Sequence, residues 1–286
     1  MSIDLHIHST CSDGTMTPVE LVQLAGRSGL TAISITDHDT MAGVPEAVAA
    51  GSKCGVEVIS GIEISALFDG KSIHILGYFQ NPDDPQLNEK LAKIQSGRAG
   101  RNLKIIKKLQ ESGIDITDEE VAELAGSGQT GRPHVGMVLV KKKVVKDLPQ
   151  AFDQYLACGR PAYVQRFIYP AEEAVAHLGA AGGLAVLAHP VQIDRSLKSI
   201  PSLLERLIPY GLQGIETYYP THTARMKKQL KEYAREYNLV LTGGSDFHGD
   251  MRPGTGLAVS KKMRVPAQLL DKMKEKLALG EKCTPY

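Results

Sequence analysis

With 286 residues, 42% of them hydrophobic and 23% charged, the chain has the composition of a globular protein with a sizeable core. Its 33 Lys and Arg almost balance 32 Asp and Glu, so charge alone argues for neither a nucleic-acid-coating protein nor a membrane-surface one. No apolar run approaches the ~20 residues that span a bilayer, and no charged-then-apolar leader opens the chain.

Residues 2–8 alternate as a half-buried strand does, with His6 and His8 on one face. A helix follows over 18–27, with Thr17 as N-cap, Pro18 at its first position and Glu20 closing a capping box. Strands are predicted at 31–36, 56–60, 72–79, 183–190, 214–219 and 239–244, with a helical stretch behind 31–36 and behind each of the last three. Seven such repeats favour a parallel, barrel-like α/β architecture. Between 82 and 158 the alternation stops and helical patterns take over: a long basic helix, a short one capped by Thr117 and Glu120, and a third over 133–146. The expected division is therefore a barrel formed by 1–81 and 159–286, with 82–158 as an all-helical insertion. Residues 90–153 hold twelve Lys and Arg against eight Asp and Glu, a net of +4 in a chain whose total is +1. A solvated helix face accounts for most of these lysines.

Four cysteines, Cys11, Cys54, Cys158 and Cys283, are scattered without a C-x-x-C pair. They read as free thiols in a reducing, cytoplasmic setting.

Of the nine histidines, five occupy positions that matter together. His6 and His8 lie on the first strand, His38 just past the second, His189 after the run 183–188 and His248 after the last. Glu63 follows the third strand, Asp13 the first, and Asp246 shares the loop of His248. In a parallel βα fold these loops open at one end, where such folds build their sites. His74 lies within the fourth strand. Histidine and carboxylate without thiolate is a ligand set for Mn, Fe or Zn in a hydrolytic site. The candidate ligands exceed what one ion can use, which implies two or three divalent ions.

The ordered segments DLHIHS with Asp13-Gly14 behind it, TDHD (36–39), GIE (61–63), HILGYF (74–79), AHP (188–190) and GGSDFHG (243–249) resemble the polymerase and histidinol phosphatase (PHP) superfamily. The resemblance implies a distorted seven-stranded barrel and three metal sites. His6, His8, Glu63 and Asp246 would hold one ion; Asp13, His38 and His248 a second; bridging Glu63, with His74 and His189, a third. Many relatives have a histidine where this chain has Asp13, and that harder oxygen ligand tilts the expected metal towards Mn²⁺ or Fe²⁺ over Zn²⁺.

The helical insertion followed by TGRPH (130–134) is similar to the branch of nucleoside 3′,5′-bisphosphate phosphatases and 5′-to-3′ exoribonucleases. Arg132 and His134 would then contact substrate phosphate, which agrees with their place at a helix N-terminus opened by Pro133. The expected reaction is in-line attack on a phosphate monoester by a hydroxide bridging two ions, with Asp13, Glu63, His189 and Asp246 central to it. The substrate would be a nucleotide or a short RNA, with no membrane and no stable protein partner implied. Another small phosphomonoester such as histidinol phosphate, or a non-catalytic metal-binding module, are the competing readings. Asp37, Asp39, Glu216, His222, Arg98 and Arg101 carry no assigned role at this level; Asp37 and Asp39 could orient His38, or Asp39 cap a helix, and Arg98 and Arg101 share one helix face that could meet a second phosphate or an RNA backbone, a solvated face being the default.

Overall fold

The computed structural model describes residues 2–126, 128–252, 254–259 and 263–281. Cys283, one of the four expected thiols, lies outside the described residues; Cys11, Cys54 and Cys158 are unpaired.

Three strands come first: β1 (Ser2–Ile7), β2 (Leu30–Ile35) and β3 (Glu57–Phe68), joined by helices α1 (Pro18–Arg27) and α2 (Val44–Cys54). Both strand pairings are parallel, as the βα alternation requires. The capping box on α1 forms as expected, with Thr17 N–H donating to Glu20 and Glu20 N–H donating to the Thr17 hydroxyl. β4 (Lys71–Tyr78) departs from the expected pattern. It pairs antiparallel with β3 from Phe68↔Lys71 to Gly61↔Tyr78. The cause is local: Asp69 (φ 46) and Gly70 (φ 75) make a two-residue hairpin turn that reverses the chain, so no helix separates these strands.

A helical segment follows: α3 (Pro85–Glu111), α4 (Asp118–Ala125), α5 (Arg132–Lys141) and α6 (Leu148–Ala151), the last running into a π-helical turn at Phe152–Leu156. The third helix stops at Lys141, short of the expected 146, because Lys143 turns to φ 58 and the chain folds back through Val144 N–H to Leu139 O. α3 changes partners along its length. Leu87, Leu91 and Ile94 pack into the barrel-side core with Ile64, Ile75 and Val175. Ile105, Ile106 and Leu109 enter a separate core with Val121, Val135, Val138 and Leu139.

The barrel resumes with β5 (Tyr169–Pro170), α7 (Ala171–Ala180), β6 (Leu184–Leu187), α8 (Pro190–Ile193), α9 (Ile200–Leu207), β7 (Leu212–Tyr218), α10 (Ala224–Glu236) and β8 (Val240–Gly243), then β9 (Val265–Pro266) and α11 (Gln268–Glu281). The seven expected strands are β1–β4 and β6–β8; β5 and β9 are two-residue additions. The order is β8-β7-β6-β4-β3-β2-β1-β9, with β4 antiparallel to both neighbours.

The segment after β8 nearly closes the sheet against β1. Asp246 N–H donates to His6 O at 2.8 Å and His8 N–H to Phe247 O at 2.9 Å. Gly244 permits this approach: a Cβ there would stand 2.3 Å from the His6 amide nitrogen. Closure also corrects the half-buried reading of the first strand. All six residues of β1 are buried: Ile3 and Leu5 lie in one apolar cluster, Asp4 accepts from Ser245 N–H and Ala258 N–H, and His6 meets Glu216 instead of water. Among the described residues, no helix is long and apolar enough to cross a membrane.

Candidate metal centre

Glu63 is the geometric centre of the site. Its Oε1 lies 2.9 Å from His74 Nδ1, 2.9 Å from His189 Nε2 and 3.4 Å from His6 Nε2. Its Oε2 lies 2.9 Å from His38 Nδ1 and 3.3 Å from His8 Nε2. Five imidazoles from four segments thus converge on one carboxylate that is 1% exposed. Two of them arrive from β1, and the β3–β4 hairpin sets His74 beside Glu63, since Ser65 pairs with His74. Asp246 Oδ1 approaches His8 Nε2 at 3.2 Å and His6 Nε2 at 3.4 Å, and Asp13 Oδ1 approaches His248 Nε2 at 3.4 Å.

Three groups of potential ligand atoms lie within 4.8 Å of one another: His6, His8, Glu63 and Asp246; His8, Asp13, His38 and His248; and His38, Glu63 and His74. His189 Nε2 stands 3.3 Å from His74 Nδ1, beside the last group. All nine residues expected as ligands therefore meet at one place, with His8 and His38 each touching two groups.

The donor atoms fit divalent ions. His6 Nε2, both ring nitrogens of His8, His38 Nδ1, Glu63 Oε2, His189 Nδ1 and His248 Nε2 are buried without a hydrogen-bond partner. Buried polar atoms are otherwise almost always satisfied, so this concentration of lone pairs marks a place for cations. Charge points the same way. Burial works to raise the Glu63 carboxyl, but the imidazoles of His74, His38 and His6 hold it well below the usual carboxylate range. Burial drives His74 down to about 4, which leaves a neutral imidazole at ordinary pH.

The supporting residues differ from expectation. Asp37 does not touch a histidine; it accepts from Ser9 N–H at 2.7 Å and from Ser12 Oγ at 2.6 Å, fixing the turn that carries Asp13. Asp39 caps no helix. It accepts from Ser65 N–H at 2.8 Å and pairs with Arg98 and with Arg166, the latter at 2.9 Å. Asp39, His189 and Asp246 all hold positive φ (57, 27 and 53), a strain that clusters at functional sites.

Residues without an assigned role also reach the centre. Glu216, on β7 and fully buried, lies 2.9 Å from His6 Nδ1 and accepts from His189 N–H at 2.7 Å. Tyr219 donates to Asp246 Oδ2 at 2.7 Å, and Arg252 pairs with the same oxygen. His222 instead bonds Thr217 O through Nδ1 at 2.9 Å, and His177 packs on Tyr169 away from the site.

A cleft of about 330 Å³ opens over the ligands. Its lining includes Asp13, His38 and His74 together with an arginine wall of Arg98, Arg101, Arg132 and Arg166. Arg98 and Arg101 are 8% and 5% exposed, so they do not belong to a solvated face. Arg132 donates from Nη1 to Leu156 O at 3.2 Å and lies over the rings of Phe152 and Tyr163. His134, 2% exposed, turns Nδ1 back to accept Gly131 N–H at 3.0 Å at the start of α5.

The PHP domain family model matches residues 4–158. The chain belongs to the PHP domain family. Among its PHP relatives, a 5′-3′ exoribonuclease of Haemophilus influenzae is 35% identical over 245 residues, covering 86% of this chain and 89% of the relative. A 3′,5′-nucleoside bisphosphate phosphatase of Chromobacterium violaceum is 33% identical over 256 residues, 89% of each chain. A solved structure described as a metal-dependent phosphoesterase, from Bifidobacterium adolescentis, superposes with a TM-score of 0.86 at 29% identity, covering 95% of this chain and 94% of that one. This PHP chain is a metal-dependent phosphoesterase, a hydrolase whose His, Asp and Glu cluster is able to bind metal ions.

Proposed function

We propose that the chain hydrolyses phosphate monoesters of nucleotides, removing the 3′-phosphate of nucleoside 3′,5′-bisphosphates and acting also at the 5′ ends of short RNA. The observation that carries this reading is the arginine wall facing the metal ligands. Arg101 is buried, its Nε is unsatisfied, and it makes no hydrogen bond to the side chains around it among the described residues. Burial, then Arg98, Arg132 and Arg166, press its pKa down to about 8. A guanidinium keeps its proton in proteins, so this strain amounts to a demand for an anion. A phosphate at the metals and a second anionic group at the wall would fill the cleft. The names of the two nucleotide-processing relatives support the same substrate class.

His6, His8, Glu63 and Asp246 would hold one ion, Asp13, His38 and His248 a second, and Glu63, His74 and His189 a third. Mn²⁺ is the preferred identity, with Fe²⁺ and Zn²⁺ as alternatives for this nitrogen and oxygen set. When bound, the ions supply a water of lowered pKa and neutralise charge that develops on the phosphoryl oxygens. The remaining work falls to side chains. Glu63, Asp13, Asp246 and His189 fix the reacting end of the cleft. Arg132 binds phosphate oxygens with its free guanidinium edge, and His134 donates from Nε2, since Nδ1 is committed to Gly131 N–H. The insertion 82–158 acts as a cap that delivers these groups to the barrel formed by 1–81 and 159–286. The free thiols favour a cytoplasmic setting.

The test is phosphate release from adenosine 3′,5′-bisphosphate, AMP, histidinol phosphate and a short 5′-phosphorylated RNA with added Mn²⁺. The bisphosphate should show the highest kcat/KM. Preference for histidinol phosphate would overturn the nucleotide assignment, and no release from any substrate at full metal occupancy would overturn the activity.

A further inference from the structure

Glu216 uses its two carboxylate oxygens on two different metal-ligand histidines. Oε1 lies 2.9 Å from His6 Nδ1, and Oε2 accepts from His189 N–H at 2.7 Å. With the hydrogen of Nδ1 turned to this carboxylate, Nε2 is the ring nitrogen left to face an ion. That Nε2 is a buried atom without a hydrogen-bond partner, 3.4 Å from both Glu63 Oε1 and Asp246 Oδ1. The second contact serves a different need. His189 holds φ 27 immediately before Pro190, a strained backbone, and its amide is pinned by Glu216 while Nε2 reaches Glu63 at 2.9 Å. Among the contacts of Glu216, none reaches Asp13, His38 or His248.

We infer that Glu216 is a positioning residue that couples two of the ion sites, the one containing His6 and the one containing His189, and does not itself hold the Asp13, His38 and His248 site. The inference rests on the ligand sets proposed above. A carboxylate behind one metal-bound histidine fixes a tautomer and a ring direction. Here one carboxylate sets the ring of one ligand and the backbone of another, across β1 and the start of α8.

The test reads metal binding directly, without substrate. Glu216→Gln preserves volume but offers one acceptor where two are used. If its oxygen stays on His189 N–H, its amide donates towards His6 Nδ1 and forces the proton to Nε2, the ligating atom. Affinity for the ions of the coupled sites should fall about 10–100-fold, measured by Mn²⁺ or Zn²⁺ titration and elemental analysis. The site centred on Asp13 should keep its ion. Asp13→Ala should lose that ion instead, and the double variant should retain none after dialysis. Unchanged stoichiometry and affinity in a folded Glu216→Gln protein would overturn the coupling, as would simultaneous loss of every ion with the fold intact. Wild-type protein that binds no divalent ion would overturn the underlying ligand sets. A second measurement needs no variant: long-range ¹H–¹⁵N spectra of the Zn²⁺-loaded wild type should show the His6 proton on Nδ1. A proton on Nε2 would refute the positioning role.

Discussion

Asp39 joins the cap to the barrel, and removing its charge should be among the most destabilising single changes in the chain. It is fully buried and pairs with Arg98 and Arg166, whose side chains are only 10% and 12% exposed. Burial opposes its ionisation, but the two guanidiniums hold it well below the usual carboxylate range. Asp39→Asn suits the left-handed backbone at φ 57 and keeps an oxygen for Ser65 N–H, so it isolates the charge. Leaving buried cations unpaired costs about 3–5 kcal/mol. Asp39→Ala should cost about 1–2 kcal/mol more, because alanine resists positive φ and leaves Ser65 N–H without its acceptor. Urea unfolding of metal-free protein reads both values. Added phosphate should restore part of the loss by binding the unpaired arginines of the folded state. A loss below about 1 kcal/mol for Asp39→Asn would refute the claim that this carboxylate holds the arginine wall in place.

Two further outcomes follow from the geometry. Arg132→Ala should raise KM about 10–100-fold, the worth of a charge-assisted phosphate contact, and leave metal content unchanged; loss of the metals would show that Arg132 supports the centre instead of the substrate. Asp4, buried at the base of β1, accepts from Ser245 N–H and Ala258 N–H at 2.8 Å each, and burial pushes it from 3.8 up to about 6. The folded state therefore holds this proton more tightly than the unfolded chain. The stabilisation is complete below pH 3.8 and is lost as pH rises through 6. The stability difference between metal-free wild type and Asp4→Asn should shift against the wild type by about 2.4 kcal/mol between pH 4 and 7, and a pH-independent difference would contradict it.

Much of this site was legible because its ligands follow strand ends in a fixed order. Period-two alternation put His6 and His8 on one face, and the loop positions of His38, His189 and His248 placed them at one mouth. The antiparallel turn of β4 escapes the strand pattern although Asp69-Gly70 is a strong hairpin signal, because the apolar run marks 56–60 as a complete strand while β3 runs on to Phe68. Glu216 was visible in GIETYY but unassignable, since its partners on β1 and before α8 are distant in sequence. Arg166 gave no signal at all; it lies in an irregular stretch and is defined only by its contact with Asp39. Arg98 and Arg101 looked like a solvated basic face, and only the docking of the cap against the barrel shows that they are buried.

The account stands on Glu63 as the shared ligand of the centre, and one paired measurement tests it. Wild-type protein and Glu63→Gln, purified alike, are assayed for bound divalent metal per chain and for phosphate release from a nucleoside 3′,5′-bisphosphate. The wild type should hold at least two ions per chain and release phosphate, and the variant should lose ions and turnover together. A Glu63→Gln protein that keeps its full metal complement, or a wild type that releases phosphate when stripped of metal, would contradict the account.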